Sequence, residues 1–333
     1  MMKKLPDLTI ILLFLAFSCS ESDPVPEDAT ITIKLTDTCM QTRSQDPDEE
    51  LVSDINWFIF SEDGLPELSG YISRRQLASA GGVVSIQVDV AKGAQYQVYV
   101  CANATEDLTD ISSLSELMEK RFWLTRPDDY TIGMPMSGSW SGSISEDGEI
   151  VEVPLERMMA KVSICMDRTG LSDGVTMNVR SVEIGNCPRS ALYFGESAAR
   201  SSSDVFINGF TKTYEDADGL NIDESLGVSQ EVSVYMLENM QGDLLPEAED
   251  DSDKILSGAY ASVCSYIEIK SEYISDAYTT YPSQYLTYRF YLGESVSNFD
   301  IRRNCHYHFT VAPSGDGISE TSWRVDISEL TEL

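Results

Sequence analysis

Cys19, Arg43 and a pair of histidines near the C-terminus are the residues of this chain whose type and spacing offer chemistry. Cys19 follows a run, residues 8–17, that is apolar except for Thr9 and is preceded by Lys3 and Lys4. That run is about half of what a membrane-spanning helix needs, so residues 1–18 read as a signal peptide. A thiol placed directly behind the small Ser18 is positioned for acylation, although Phe17 is bulkier than the usual occupant of its place. Acyl chains contribute about 0.8 kcal/mol per buried CH2, enough for several on one cysteine to hold a protein on a membrane. Arg43-Ser44 lies in a stretch, residues 40–50, with no hydrophobic pattern, which predicts a loop open to proteases.

The remaining candidates are weaker. His306 and His308 are two apart on a strand-like run and share a face, the spacing of a two-histidine metal site. No acidic or cysteine partner falls on that face nearby, so a plain strand face is expected. Cys305 alternates with them and faces away, which argues against a cysteine–histidine catalytic pair. Asp216, Asp218, Asn221 and Asp223 around Gly219 resemble a calcium loop, but the full twelve-residue spacing is missing. We expect no metal and no other cofactor. The six cysteines after Cys19 show no C-x-x-C spacing, and their disulfide state stays open. There is no G-x-S-x-G, phosphate loop, G-x-G-x-x-G or H-E-x-x-H, and no carboxylate pair stands out, so an enzyme is not expected. Trp57, Trp123, Trp140 and Trp323 are scattered and are expected to fill cores or grooves.

The elements that position these residues read as strands. Residues 29–39 alternate, with Ile31, Ile33 and Leu35 on one face and Thr30, Thr32, Lys34 and Thr36 on the other. Burying those three apolar side chains is worth roughly 4–9 kcal/mol. Further strands are predicted over residues 52–60, 84–90, 96–100, 150–155, 162–166, 177–184, 232–236, 263–269, 286–292, 305–311 and 323–327. The Asp63-Gly64 pair suits a tight hairpin turn. One helix is predicted over residues 110–121, with a Ser113/Glu116 capping box only if it starts late. Many strands and few helices predict an all-β fold of paired antiparallel sandwiches. Of 333 residues, 55 are acidic and 23 basic, a formal net charge of −32 that stays near −30 without residues 1–43. Such a surface repels nucleic acid, which we exclude as a partner.

Several stretches together resemble the fimbrillin family of type V pilus subunits. They are N-W-F-I-F-S-E-D-G (56–64), Y-Q-V-Y-V-C-A-N (96–103), M-P-M-S-G (134–138) and L-E-R (155–157) leading to Lys161-Val162. In the second half they are Y-M-L-E-N-M-Q-G (235–242), Y-R-F-Y-L-G (288–293) and F-D-I-R-R-N-C-H-Y (299–307). The resemblance implies two tandem transthyretin-like Greek-key β-sandwich domains, at residues 44–155 and 156–333, behind a lipidated tether and removable strand at residues 19–43. It implies an outer-membrane lipoprotein at the cell surface, with lipid on Cys19. An arginine-specific protease would cleave after Arg43. Other pilus subunits would then supply a donor strand to the groove vacated by Ile31, Ile33 and Leu35. A host or bacterial surface ligand is a further implied partner. Stalk subunits of the family need a donor segment beyond the last core strand. Here only residues 323–333 follow the loop at 314–322, which implies a minor or tip subunit. Two alternatives stand beside this: an unprocessed, lipid-retained pilus anchor, and a glycan-binding outer-membrane surface lipoprotein.

Overall fold

The computed structural model describes residues 27–37, 51–79, 85–127, 130, 133–207, 211–212, 227–250, 253–275, 283–317 and 320–329. Among the described residues the fold is all-β with two short α-helices. The N-terminal half contains β1 (Asp28–Asp37), β2 (Ile55–Ser61), β3 (Pro66–Ile72), α1 (Arg74–Ser79), β4 (Ser85–Ala91), β5 (Gln95–Ala102), α2 (Leu114–Glu119), β6 (Arg121–Trp123), β7 (Met136–Ser143) and β8 (Ile150–Arg157). Seven of these strands hydrogen-bond in the order β3-β2-β5-β7-β8-β1-β4. Only two register pairs, Met136↔Arg157 and Ser137↔Glu156, join β7 to β8. The sheet therefore divides into two layers, β3-β2-β5-β7 and β8-β1-β4. Ile55, Ile59, Val98 and Val100 of one layer share a core with Ile31, Ile33, Ile86, Val151 and Val153 of the other. Leu77 of α1, on the β3–β4 crossover, is buried in the same core.

Period-two alternation explains the strands that were legible, such as β8, whose Val151, Val153 and Leu155 are buried between exposed neighbours. The helix predicted over residues 110–121 begins only at Leu114, because Ser113 is its N-cap and accepts the Glu116 N–H at 3.2 Å. The Glu116 carboxylate turns back to the Ser112 N–H instead of that of Ser113. The β2–β3 hairpin turns at Gly64, whose φ of 75° is the left-handed conformation that glycine adopts without strain.

The C-terminal half contains β9 (Met159–Met166), β10 (Gly170–Leu171), β11 (Val175–Gly185), β12 (Cys187–Pro188), β13 (Ser190–Leu192), β14 (Val205–Phe206), β15 (Thr211–Lys212), β16 (Val232–Leu237), β17 (Tyr266–Ser275), β18 (Ser283–Tyr291), β19 (Cys305–Gly315) and β20 (Glu320–Glu329). One sheet runs β10-β19-β9-β16, with β20 also paired to β19; the other runs β15-β11-β17-β18. Their facing sides bury Val162, Ile164, Val179, Val182, Ile267, Ile269, Tyr307 and Phe309 in one core. The strand expected from residue 263 starts at Tyr266, because Val263 closes a 3-10 turn at Tyr260–Ser262.

The halves share a third core. Phe58, Phe60, Leu117 and Phe122 meet Met158, Met159, Tyr193 and Tyr235 there. Phe58 and Phe60 belong to the face of β2 opposite Ile55 and Ile59, so both faces of that strand are buried. At the edge of this core, β6 pairs with β13 in a two-stranded ribbon that ties the halves together, its Phe122 and Ala191 buried there.

Candidate functional site

The site is built around β1. Asp28 to Lys34 pair antiparallel with Ala91 to Ser85 of β4, while Thr32 to Asp37 pair parallel with Ile150 to Leu155 of β8. At Thr32, Ile33 and Lys34 the strand has a ladder on both sides. Its first part leans on the turn before β8: Thr32 N donates to Glu149 O at 2.9 Å, and Gly148 N donates to Thr30 O at 2.9 Å. Thr30 N reaches Asp147 Oδ1 at 2.9 Å, and its hydroxyl reaches Asp89 Oδ1 at 2.7 Å. The turn itself is fixed by the Glu149 carboxylate, which accepts the Ser145 N–H and so sits below its ordinary pKa.

One face of β1 is sunk in the core. Ile31 and Ile33 are fully buried, Ala29 nearly so, and Leu35, at 8% exposure, lies at the rim. Removing this strand would uncover a slot flanked by β4 and β8 and floored by Val98 and Val100 of the opposite layer. Its two walls would be open strand edges, which seek a new partner. Strand β2, next in sequence, lies in the opposite layer and shares no ladder with β1. Cys19, Arg43 and Ser44 lie outside the described residues, as do Cys39 and the acidic loop from Asp216 to Asp223.

A polar latch holds the chain where it re-enters the described structure. Asn103, fully buried with φ of 59°, accepts the Ser53 N–H at 2.7 Å and donates to Leu51 O at 2.7 Å and Met134 O at 2.6 Å. A Cβ at Gly133 would come within 2.4 Å of the Asn103 amide, and φ there is 119°, so only glycine fits beside the latch. Asp54 accepts the N–H groups of Ala104 and Thr105, and Asn56 those of Leu108 and, in the other direction, donates to Glu106 O. Burial pushes the Asp54 carboxyl above its ordinary range, and the two N–H donors offset part of that rise. These residues were missed in the sequence as functional candidates. The one signal was the polar Ser53, Asp54 and Asn56 inside an otherwise apolar strand.

The histidine pair lies on the outer face of the β9–β19 sheet. His306 and His308 do share a face, with ring centroids 3.7 Å apart. His306 Nε2 is 2.7 Å from Ser163 Oγ, and His308 Nδ1 is 3.0 Å from Glu231 Oε1. The carboxylate absent from the local sequence thus comes from a distant segment. Ser163 and His306 are both buried, so this pair is closed to a substrate. Cys305 packs toward the core between the two sheets, away from the histidines. Cys101, Cys165 and Cys264 are free thiols. Burial raises the Cys264 thiol to about 12, so it does not ionise near neutrality.

A cleft of about 650 Å3 opens at the seam of the halves, between Tyr99 and Glu156 on one side and Phe194 and Arg303 on the other. Its guanidinium is already engaged: Arg303 bonds Glu238 and the carbonyls of Leu192, Tyr193 and Gly195. Trp57 and Trp140 pack against the N-terminal core as expected of them, whereas Trp123 is 65% exposed and fills neither core nor groove.

Residues 29–140 match the family model of the major fimbrial subunit protein (FimA), and residues 234–311 match a domain of unknown function, DUF4906. The tip fimbrial protein Mfa3 from Porphyromonas gingivalis, with a C-terminal truncation, is similar in structure with a TM-score of 0.58 at 12% identity. That likeness covers 91% of this chain and 100% of that one. A fimbrilin (fimA) from Porphyromonas gingivalis W83 is similar with a TM-score of 0.55 at 11% identity, over 90% of this chain and 97% of that one. None of the curated proteins matches the sequence significantly. The matched family is one of structural fimbrial subunits, not of enzymes. The match of residues 29–140 to the major fimbrial subunit (FimA) model and the fold that the chain shares with these two fimbrial proteins agree with the resemblance in the sequence motifs.

Proposed function

We propose that this chain is a minor or tip subunit of a surface fimbrium, delivered as a lipoprotein and assembled by strand complementation. Acylation of Cys19 holds the precursor at the outer membrane. Cleavage after Arg43 leaves a chain starting at Ser44, and β1 departs with Ile31, Ile33 and Leu35. The remainder, divided into domains at residues 44–155 and 156–333, then accepts a donor strand from another pilus subunit.

The observation that carries this reading is the placement of β1. It is interposed between β4 and β8, buries one apolar face, and has no ladder with β2. A strand so placed completes the N-terminal half without being woven into it. The minor or tip role is supported by β20, which pairs with β19 over ten successive positions and is thereby engaged within its own chain.

The test is the mature N-terminus. Protein recovered from fimbriae of an expressing, fimbriate bacterium is expected to begin at Ser44, and Arg43→Ala is expected to stay acylated at Cys19 and absent from fimbriae. A fimbrial chain still carrying residues 19–43 would sink the processing step and leave the lipid-retained anchor.

A further inference from the structure

We propose that the outer face of the β6–β13 ribbon is a binding site for an acidic, carboxylate-bearing glycan, centred on Trp123 and Arg121. The ribbon fixes both groups. Trp123 stands directly opposite Ser190 in the ladder, so the two side chains share a face, and Arg121 precedes it by two residues on that face. Phe122, Leu124 and Ala191 fill the opposite, inner face and are buried. The indole, 65% exposed, is thus held out by a strand whose other side is anchored in the core between the halves.

The arginine supplies the second observation. Arg121 donates from Nε to Ser190 Oγ at 2.9 Å and from Nη2 to Ser190 O at 3.2 Å. Those bonds orient the guanidinium without neutralising it. In a chain with 55 acidic residues against 23 basic, Arg121 forms no ion pair among the described residues. Asp204 attracts it electrostatically without forming an ion pair, and the Asp204 carboxylate accepts the N–H groups of Arg200 and Ser201. Arg189, next to Ser190, is exposed and likewise forms no ion pair among the described residues. Its Nε bonds Val205 O at 3.0 Å and its guanidinium stacks 4.3 Å above the Phe206 ring.

An exposed indole beside an oriented guanidinium that forms no ion pair among the described residues fits one ligand class best. The flat ring takes the apolar face of a pyranose, and the guanidinium fork takes a carboxylate in two parallel hydrogen bonds. A protein partner would need an interface of roughly 1,000 Å2, far beyond one indole and its rim. The negative field of the whole chain opposes any anion. It is screened beyond about 8 Å at physiological salt, so a short acidic oligosaccharide suits the site better than a long polyanion.

Isothermal titration in 0.15 M NaCl tests this with tetragalacturonate and 3′-sialyllactose, against maltotetraose and lactose as neutral counterparts. The acidic sugars are expected to bind at least about tenfold more tightly than the neutral ones, the worth of one charge-assisted bidentate contact. Trp123→Ala should weaken all four sugars, and Arg121→Gln should erase the preference for the acidic pair. Arg121→Lys, which keeps the charge and loses the fork, should fall between. Unchanged melting of each variant controls for folding. Equal affinity for acidic and neutral sugars, binding of neither acidic sugar, or wild-type behaviour in both Trp123→Ala and Arg121→Gln would overturn the proposal.

Discussion

Strands β1 and β20 are the first and last of the described chain, and each docks on its own molecule in a different way. β1 lies between two strands, with Ile31 and Ile33 fully buried. β20 lies along one strand, β19, over ten positions. Taking out β1 leaves a gap inside a layer with two bare edges and a row of empty apolar pockets. Taking out β20 leaves one bare edge of a layer that stays continuous. The first is a defect that demands repair by another strand; the second is an ordinary sheet edge.

The largest expected effect tests that contrast directly. A chain beginning at Ser44 should lose about 4–9 kcal/mol of stability in its N-terminal half, the worth of three buried apolar side chains. Calorimetry should show a synthetic peptide of residues 28–37 restoring it. If the peptide neither binds nor restores the transition, β1 is not a separable strand. Ending the chain at residue 319 should lower the melting temperature by less than the loss of β1 does, and an equal or larger drop would erase the difference between the two strands.

Asn103 sharpens the comparison from the other layer. Asn103→Ala strips partners from the buried groups of Ser53 and Met134 and from the half-buried Leu51 carbonyl, at about 1–3 kcal/mol. The latch and β1 share no hydrogen bond, so urea denaturation should give the same loss with and without β1. Strong coupling would mean that β1 and β2 depart together.

The smallest effect separates the halves by pH. Burial raises Asp54, so its charged form costs stability, and that cost is relieved as pH falls through its folded value toward about 3.9. Burial also lifts Glu268, but hydrogen bonds from Arg289 and Lys270 outweigh it and leave the carboxyl lowered. Its contribution is whole above about pH 4.3 and fades as pH falls through the lower folded value. Between pH 3 and 6, Glu268→Gln should flatten the acid loss of stability, and Asp54→Asn should remove a trend of the opposite sign. Parallel pH profiles for the two variants would contradict these assignments.

Much of the fold was legible because burial leaves a period. Ile31, Ile33 and Leu35 announced β1, and Val151, Val153 and Leu155 announced β8. β7 gave no such signal, since Ser137, Gly138, Ser139, Ser141 and Gly142 carry little apolar surface. It is a strand because it pairs with β5 over eight positions, and at Gly138 it comes so near Pro154 that a Cβ would sit 2.0 Å from that carbonyl. β3 was silent for another reason: an edge strand with most of its residues exposed needs no apolar face. The latch and the His308–Glu231 contact were out of reach because their partners are about 50 and 77 positions apart in the chain. Trp123 was read as core material, and the ribbon that turns it outward forms only when residues 121–123 meet residues 190–192.

The separation of β1 and β2 into different layers has a kinetic meaning. While the two are covalently joined, a β1 that slips out remains tethered at an effective concentration in the millimolar range and rebinds. A single cut between residues 37 and 51 leaves the ladders of β1 with β4 and β8 as they are, yet it converts that reversible excursion into dissociation of a ligand. From then on occupancy of the slot obeys mass action. The departing strand is diluted away, and whichever strand is locally abundant takes its place.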